Sequence, residues 1–185
     1  IAHDTKKIAL ASTGNAGAAM SCAGAAYGLD IILFVPKTAP INKLMQSVLY
    51  GATVVPVDGT YDDAFLLSIA YTQHFGGINR NTAYNPMTIE GKKSISIELF
   101  EQLGRRIPDV VYVPVGDGCI ISGVYKGFYD LMKAGLTDRI PHIVCSQSEK
   151  SNAISQAFET GQFKSIEAST RADSISVDIP ASGRI

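Results

Sequence analysis

The chain has 185 residues, of which 46% are hydrophobic and 18% are charged, and its 16 basic and 17 acidic residues leave a net charge of −1. This composition excludes a disordered chain, and without a long basic or apolar run we expect neither nucleic acid nor a membrane as a partner. The three cysteines and three histidines are scattered, so we expect no metal site, no disulfide framework and a reducing, cytoplasmic compartment.

The first clear pattern runs from Lys7 to Gly28. An apolar strand, Ile8 to Ala11, enters the turn Ser12-Thr13-Gly14-Asn15-Ala16-Gly17, and a helix of small residues follows. A strand, a glycine-bearing turn and a helix together present backbone N–H groups and a helix N-terminus to an anion. The same residues also suit an ordinary strand-to-helix turn with good caps, so the turn alone leaves both interpretations open.

Strands and helices then alternate as far as Gly77. We predict strands at 30–35 and 53–57 and helices at 41–50 and 61–75. Pro56 restricts its strand to an end or an edge of the sheet. The alternation predicts βαβ units with right-handed crossovers. Residues 78–88 are polar and look like a connection, so we place a smaller domain at 1–85 and part of a larger domain at 86–185.

The second half of the chain repeats this pattern around a second glycine turn, Gly116-Asp117-Gly118-Cys119. The turn follows a strand, at the position where ligands bind in open α/β sheets. A long helix is predicted at 89–103, with its apolar face formed by Ile95, Leu99 and Leu103. Further strands are predicted at 109–115 and 142–146, helices at 120–134 and 152–160, and mostly loop at 162–185, with residues 174–177 extended. The expected fold class is α/β, with two doubly wound, mostly parallel sheets.

The glycine turns fit a small phosphate better than a dinucleotide. The first turn has only Gly14 and Gly17, and Ile121 stands where the second turn needs its third glycine, so G-x-G-x-x-G is incomplete. Neither a P-loop nor a nucleophile elbow is present. Residues 116–120 offer consecutive backbone N–H groups ahead of a helix, a nest that holds one phosphate without a lysine. The carboxylate of Asp117 should then point away or cap the helix.

Five stretches of the chain resemble pyridoxal-phosphate enzymes of fold type II, which have the tryptophan synthase β-like architecture, and threonine synthases in particular. They come in the family's order and span Ser12 to Pro180. In chain order, the similar stretches are Ser12–Asn15 (S-[ST]-G-N), Ile89–Lys93 (I-E-G-Q-K), Val113–Gly118 (V-P-V-G-N-G/A), Ser122–Phe128 (the helix after it) and Ala172–Val177 (A-D-S-I-x-V).

The resemblance implies pyridoxal 5'-phosphate as the cofactor and gives both turns a role. Asn15 should hydrogen-bond the 3-oxygen of the pyridoxal ring. Hydroxyls and turn N–H groups of the first turn should bind the substrate carboxylate, at Ser12, Thr13, Gly14 and Ala16. The second turn should cradle the cofactor phosphate, mainly by backbone, at Gly116, Asp117, Gly118, Cys119 and Ile120. Asp117 and Ile120 stand where Asn is common in the family, and Cys119 stands where Gly is common. Cys119 is interpreted as a small residue that fits a tight loop, with a reactive thiol as the alternative.

The resemblance also implies a lyase that converts O-phosphohomoserine and water into threonine and phosphate, in a cytoplasmic homodimer. The family's Schiff-base lysine lies in an S-F-K-D sequence upstream of S-T-G-N, where this chain has only Ile1 to Ala11, so we expect a fragment without a catalytic residue. Lys6 and Lys7 are interpreted as a solvated strand start.

Two alternatives to this function stay open. One is another fold type II enzyme, such as threonine dehydratase. The other is a non-catalytic phosphate- or cofactor-binding module. Glu90, Lys92 and Lys93 also keep two interpretations. They either orient the cofactor or a phosphorylated substrate, or they are ordinary helix charges.

Overall fold

The structure is a computed structural model that describes residues 5–172, 175–178 and 180. The chain divides into two compact units, Ile1–Asn81 (unit 1) and Thr82–Ile185 (unit 2). Each unit is built on parallel β-strands with helices between them, so the expected α/β class is confirmed. Within the described residues we find no helix with both the length and the apolar character that a membrane crossing requires.

The elements of unit 1 are β1 (Lys7–Ala11), α1 (Asn15–Tyr27), β2 (Asp30–Pro36), α2 (Ile41–Leu49), β3 (Thr53–Val57), α3 (Tyr61–Phe75) and β4 (Ile78–Asn79). The strands form a four-stranded parallel sheet with the order β3-β2-β1-β4. Strands β2 and β3 extend the sheet on one side of β1, and β4 adds to the other side. The C-terminal end of β1 is therefore the point where the strand order reverses, which is where open α/β sheets bind ligands.

Both faces of this sheet are covered by helices. Ala9 and Phe34 belong to a cluster with Ala64 of α3 on one face. Leu10 belongs to a cluster with Met20 of α1 on the other face. Since successive residues of a strand point to opposite faces, a strand covered on both sides is a continuous apolar run, as β1 is from Ile8 and β2 from Ile31.

The connection predicted at 78–88 is wrong at its start, because Ile78–Asn79 form β4 and pair with Ile8 and Ala9 of β1. A two-residue strand with one polar residue carries no periodic signal. The position predicted for Pro56 is confirmed, since β3 is an edge strand of the sheet.

Unit 2 contains a parallel pair of strands with helices around one core. The elements are α4 (Met87–Lys92), α5 (Ser94–Gln102), β5 (Val110–Pro114), α6 (Cys119–Lys133), β6 (His142–Ser146) and α7 (Ala153–Thr160). The buried core residues are Phe100, Val113, Val115, Val124, Phe128 and Leu131. Residues 162–172 form no helix or strand. Of the stretch predicted as extended at 174–177, residues 175–177 lie in no strand, and Ser174 lies outside the described residues.

The single long helix predicted at 89–103 is wrong, because α4 ends at Lys92 and α5 begins at Ser94. The predicted apolar face is right at Leu99, which packs against the core, and wrong at its other two positions. Ser96 and Phe100 are the buried residues of α5, whereas Ile95 is 40% exposed and Leu103, just beyond its end, is 39% exposed. The fully buried positions of α5 are therefore shifted by one residue from the predicted face, and one of them is polar.

Close approach of the α6 backbone explains why a small polar residue, Ser96, is buried on α5. A Cβ at Gly127 would lie 2.5 Å from the carbonyl oxygen of Lys93 and 2.7 Å from the Cβ of Ser96. The hydroxyl of Ser96 donates to the carbonyl oxygen of Val124 at 2.6 Å. Backbones this close leave room for a small side chain with its own hydrogen bond, and no room for a leucine or isoleucine.

Candidate functional site

The first glycine turn lies at the C-terminal end of β1 and opens α1, a helix of 13 residues. The Oγ of Ser12 accepts hydrogen bonds from the backbone N–H groups of Gly17 at 3.0 Å and Gly14 at 3.4 Å. A Cβ at Gly17 would lie 3.0 Å from the carbonyl oxygen of Ser12, so a glycine lets the turn close on itself. The turn therefore gathers Ser12, Thr13, Gly14, Asn15 and Ala16 around the N-terminus of a helix, with Gly14 and Asn15 exposed.

A buried polar network lies beneath the end of β1. The side chain of Asn79 donates to the hydroxyls of Ser68 at 3.3 Å and Thr72 at 3.4 Å. Its own Oδ1 accepts the backbone N–H of Asn81 at 2.9 Å, and Asn81 is buried. Sequence reasoning missed this network, and the three asparagines within the polar run 78–88 were the only signal for it.

The second glycine turn joins β5 to α6, a helix of 15 residues. Gly118 precedes the helix with φ 94°, a left-handed conformation that a side chain strains. The Oδ1 of Asp117 accepts the backbone N–H of Cys119 at 3.0 Å, so its carboxylate caps the first turn of the helix instead of pointing away. Cys119 is fully buried, which favours its interpretation as a small residue over a reactive thiol, and Ile120 is exposed.

Residues 175–177 pack against this turn at Gly116. A Cβ at Gly116 would lie 3.1 Å from the Cα of Ile175 and 3.2 Å from the Cγ2 of Val177. Ser151, which is buried, donates its hydroxyl to the carbonyl oxygen of Ile175 at 3.0 Å and accepts the N–H of Val177 at 3.2 Å. Asp173 and Ser174, which complete the A-D-S-I-S-V stretch, lie outside the described residues.

These features fit a phosphate group that is bound by backbone. The first N–H groups of a helix have no partner within the helix, and the helix dipole favours an anion there. Gly116 and Gly118 are positions that a Cβ would fill or strain. Among the described residues, the Asp117 carboxylate opposes an anion at this turn, because it adds a negative charge and uses the N–H of Cys119.

Four charged side chains link α4, the α4–α5 junction and α6 in a closed ring. Lys93 Nζ lies 2.7 Å from Glu90 and 3.0 Å from Asp130, and Lys126 Nζ lies 2.7 Å from Asp130 and 3.4 Å from Glu90. The hydrogen bond from Lys93 is the main cause that lowers the pKa of Glu90, and the one from Lys126 lowers the pKa of Asp130. Both lysine pKa values are raised in return. For Glu90 and Lys93 this ring favours the interpretation as helix charges.

Lys6 and Lys7 lie at the start of β1, at the opposite end of the strand from Ser12. Five residues of strand separate them from the turn by about 16 Å. Lys6 is exposed, as the solvated strand start predicts, whereas Lys7 is half-buried.

The family described as pyridoxal-phosphate dependent enzyme matches residues 1–185. The chain belongs to this family. Its expected cofactor, pyridoxal 5'-phosphate, and its expected relationship to threonine synthases are thereby confirmed.

Two curated relatives cover most of the chain. The threonine synthase of Methanosarcina acetivorans is 33% identical over 157 residues, which are 83% of this chain and 38% of that protein. Threonine synthase 2, chloroplastic, of Arabidopsis thaliana is 32% identical over 180 residues, which are 95% of this chain and 35% of that protein. The chain therefore spans little more than a third of the length of these relatives.

The fold of this pyridoxal-phosphate family member is also found among solved structures. The processed form of threonine deaminase isoform 2 from Solanum lycopersicum superimposes with a TM-score of 0.82 at 22% identity, over 97% of this chain and 51% of that one. The expected fold type II architecture is confirmed by this similarity.

Proposed function

We propose that the native protein containing this chain is a threonine synthase-like lyase of amino-acid biosynthesis, which converts O-phosphohomoserine and water into threonine and phosphate. The observation that carries the proposal is the 33% identity to a threonine synthase over 83% of the chain. The 22% identity to a threonine deaminase supports a common fold only. We therefore base the proposed reaction on the higher identity to a threonine synthase.

In this proposal the turn of unit 1 binds the α-carboxylate of the substrate. Its donors are the backbone N–H groups of Thr13, Gly14 and Ala16 and the hydroxyls of Ser12 and Thr13. Of these, the N–H of Gly14 also donates to the Oγ of Ser12 at 3.4 Å, and a carboxylate would have to share it or take it over. The oxygen of Ser12 already accepts the N–H of Gly17, so its O–H hydrogen is the part available to a carboxylate. Asn15 offers its amide to the ring 3-oxygen of the cofactor.

The turn of unit 2 holds the cofactor phosphate in the same proposal. The donors are backbone N–H groups of residues 116–120 at the N-terminus of α6. The cofactor supplies an electron sink for negative charge at the substrate's α-carbon, and the protein supplies binding and orientation. The two turns then belong to the smaller domain at 1–85 and the larger domain at 86–185.

The proposal includes a small phosphorylated amino acid as substrate, a homodimer and a cytoplasmic location. The three cysteines, Cys22, Cys119 and Cys145, form no disulfide, which suits a reducing compartment.

The deciding experiment offers two substrates to the purified native protein loaded with pyridoxal 5'-phosphate. We expect release of phosphate and formation of threonine from O-phosphohomoserine, and much slower formation of 2-oxobutyrate from threonine. Preferential formation of 2-oxobutyrate would replace the proposal with a dehydratase. Stoichiometric cofactor binding without turnover of either substrate would replace it with a binding module.

A further inference from the structure

Ala11 is the last residue of β1 and directly precedes Ser12, and two side chains hold both of its backbone polar groups. Its N–H donates to the Oδ1 of Asn81 at 2.6 Å, and its carbonyl oxygen accepts from the hydroxyl of Tyr61 at 3.2 Å. Both contacts come from far along the chain.

These contacts take the place of the hydrogen bonds that a longer β4 would make to Ala11. In a parallel pair, the N–H and C=O of alternate residues point to the same neighbouring strand. Ala9 accepts the N–H of Arg80 beyond the end of β4, so the polar groups of Ala11, two residues on, also point to the β4 side. β4 ends at Asn79, and side chains take over the bonds that a longer strand would make.

The amide of Asn81 is itself held in place. Its Nδ2 donates to the hydroxyl of Ser68 at 2.7 Å and to the carbonyl oxygen of Phe65 at 3.4 Å, both on α3. Its side chain is buried, with 1% of the residue exposed. The orientation of the Oδ1 is thereby set by α3, and the amide has no freedom to turn away from Ala11.

Tyr61 reaches Ala11 from the first residue of the same helix. Thr60 and Asp63 form a capping box, in which each side chain accepts the other residue's backbone N–H. Tyr61 packs on Phe65 at 6.4 Å between ring centroids and is 47% exposed. The start of α3 is therefore rigid, while the tyrosine itself is not a core residue.

We infer that Asn81 and Tyr61 are positioning residues, which orient the substrate-binding turn by holding the peptide groups of Ala11. Rotation of the Ala11 carbonyl would displace Ser12 and the N–H groups of the turn that follows it. This inference rests on the proposed function, which gives that turn the substrate carboxylate.

The test compares Tyr61→Phe with Tyr27→Phe in the native protein loaded with cofactor. Tyr27 is 71% exposed at the last residue of α1 and makes a matched control. We expect Tyr61→Phe to raise the substrate KM about three- to tenfold, the effect of one hydrogen bond, with cofactor content and Tm unchanged. An unchanged KM, or a fall in Tm without a change in KM, would overturn the inference.

Hydrogen exchange separates this inference from the proposed function. The peptide spanning residues 11–17 should exchange faster in Tyr61→Phe than in the wild type or in Tyr27→Phe, whatever substrate the protein uses. Equal exchange in all three proteins would overturn the inference. Failure of the wild type to turn over O-phosphohomoserine would overturn the proposed function alone.

A second pair of variants tests Asn81 against its own network. Asn81→Ala removes the contact with Ala11, whereas Thr72→Val removes a hydroxyl of the same network that accepts from Asn79. Both should lower Tm, and only Asn81→Ala should raise KM by more than about twofold. An equal rise in both variants would assign Asn81 a structural role only.

Discussion

The carboxylate of Asp117 accepts the backbone N–H of Cys119 at 3.0 Å. A side chain with a full negative charge therefore caps the helix whose N-terminus we assign to the cofactor phosphate. The cap stabilises the turn, and the charge opposes the ligand, so the two effects of this side chain can be separated by an uncharged residue of the same shape.

We expect Asp117→Asn to bind pyridoxal 5'-phosphate about three- to tenfold more tightly than the wild type. Asparagine keeps the oxygen that accepts the Cys119 N–H, and it removes the repulsion between two anions. Titration of the native apoprotein with cofactor measures this. Asp138→Asn is the control, because it removes the same charge beyond the C-terminal end of α6. Tighter binding in both variants would point to overall charge as the cause.

Gly118→Ala should weaken cofactor binding about tenfold. Gly118 has φ 94°, and a Cβ there costs about 1 kcal/mol and turns the N–H groups of the nest. Gly135→Ala is the matched control, because Gly135 also has a positive φ, 71°, but follows the other end of α6. Both variants should lose similar stability in urea unfolding. If Gly135→Ala weakens cofactor binding equally, the loss belongs to folding and not to the turn.

Two glycine substitutions in unit 2 should change stability in opposite directions. Gly127→Ala should destabilise the native protein by about 2–3 kcal/mol, because its Cβ would lie 2.5 Å from the carbonyl oxygen of Lys93. Gly91→Ala should stabilise it by about 0.5–1 kcal/mol, because Gly91 lies within α4 and a Cβ there meets no atom within 4 Å. Urea unfolding measures both. A loss of stability in Gly91→Ala would contradict the open surface at that position.

The charged ring of Glu90, Lys93, Lys126 and Asp130 predicts loss of stability in acid. The pKa of Glu90 lies below its ordinary value of 4.5, mainly because of the hydrogen bond from Lys93. A lowered carboxylate pKa contributes stability that is complete above the unfolded value and is lost as the pH falls through the folded value. Tm should therefore fall between pH 5 and pH 3, and Glu90→Gln should fall less steeply than the wild type. Glu159→Gln, an exposed glutamate on α7, should follow the wild type curve.

Local patterns in the sequence were enough for most elements and for both turns. β1 and α1 follow from an apolar run, a glycine turn and a run of small residues, which are adjacent in sequence. Residues 12–16 lie close to one another because they form one continuous turn, and the same holds within residues 116–120. The apolar face predicted within 89–103 failed at Ile95 because the approach of Gly127 places Ser96 against α6, and periodicity carries no trace of a partner helix.

The α/β class, the family and the residues of the two turns follow from the amino-acid order alone, because strand, turn and helix signals act between near neighbours. The contacts that hold the first turn in place follow from the folded chain. Asn81 and Tyr61 lie 70 and 50 residues from Ala11, and neither position carries a motif. Their contacts exist because β4 stops short of the end of β1, and the polar groups left over on a buried strand must be satisfied by whichever side chains the fold brings near.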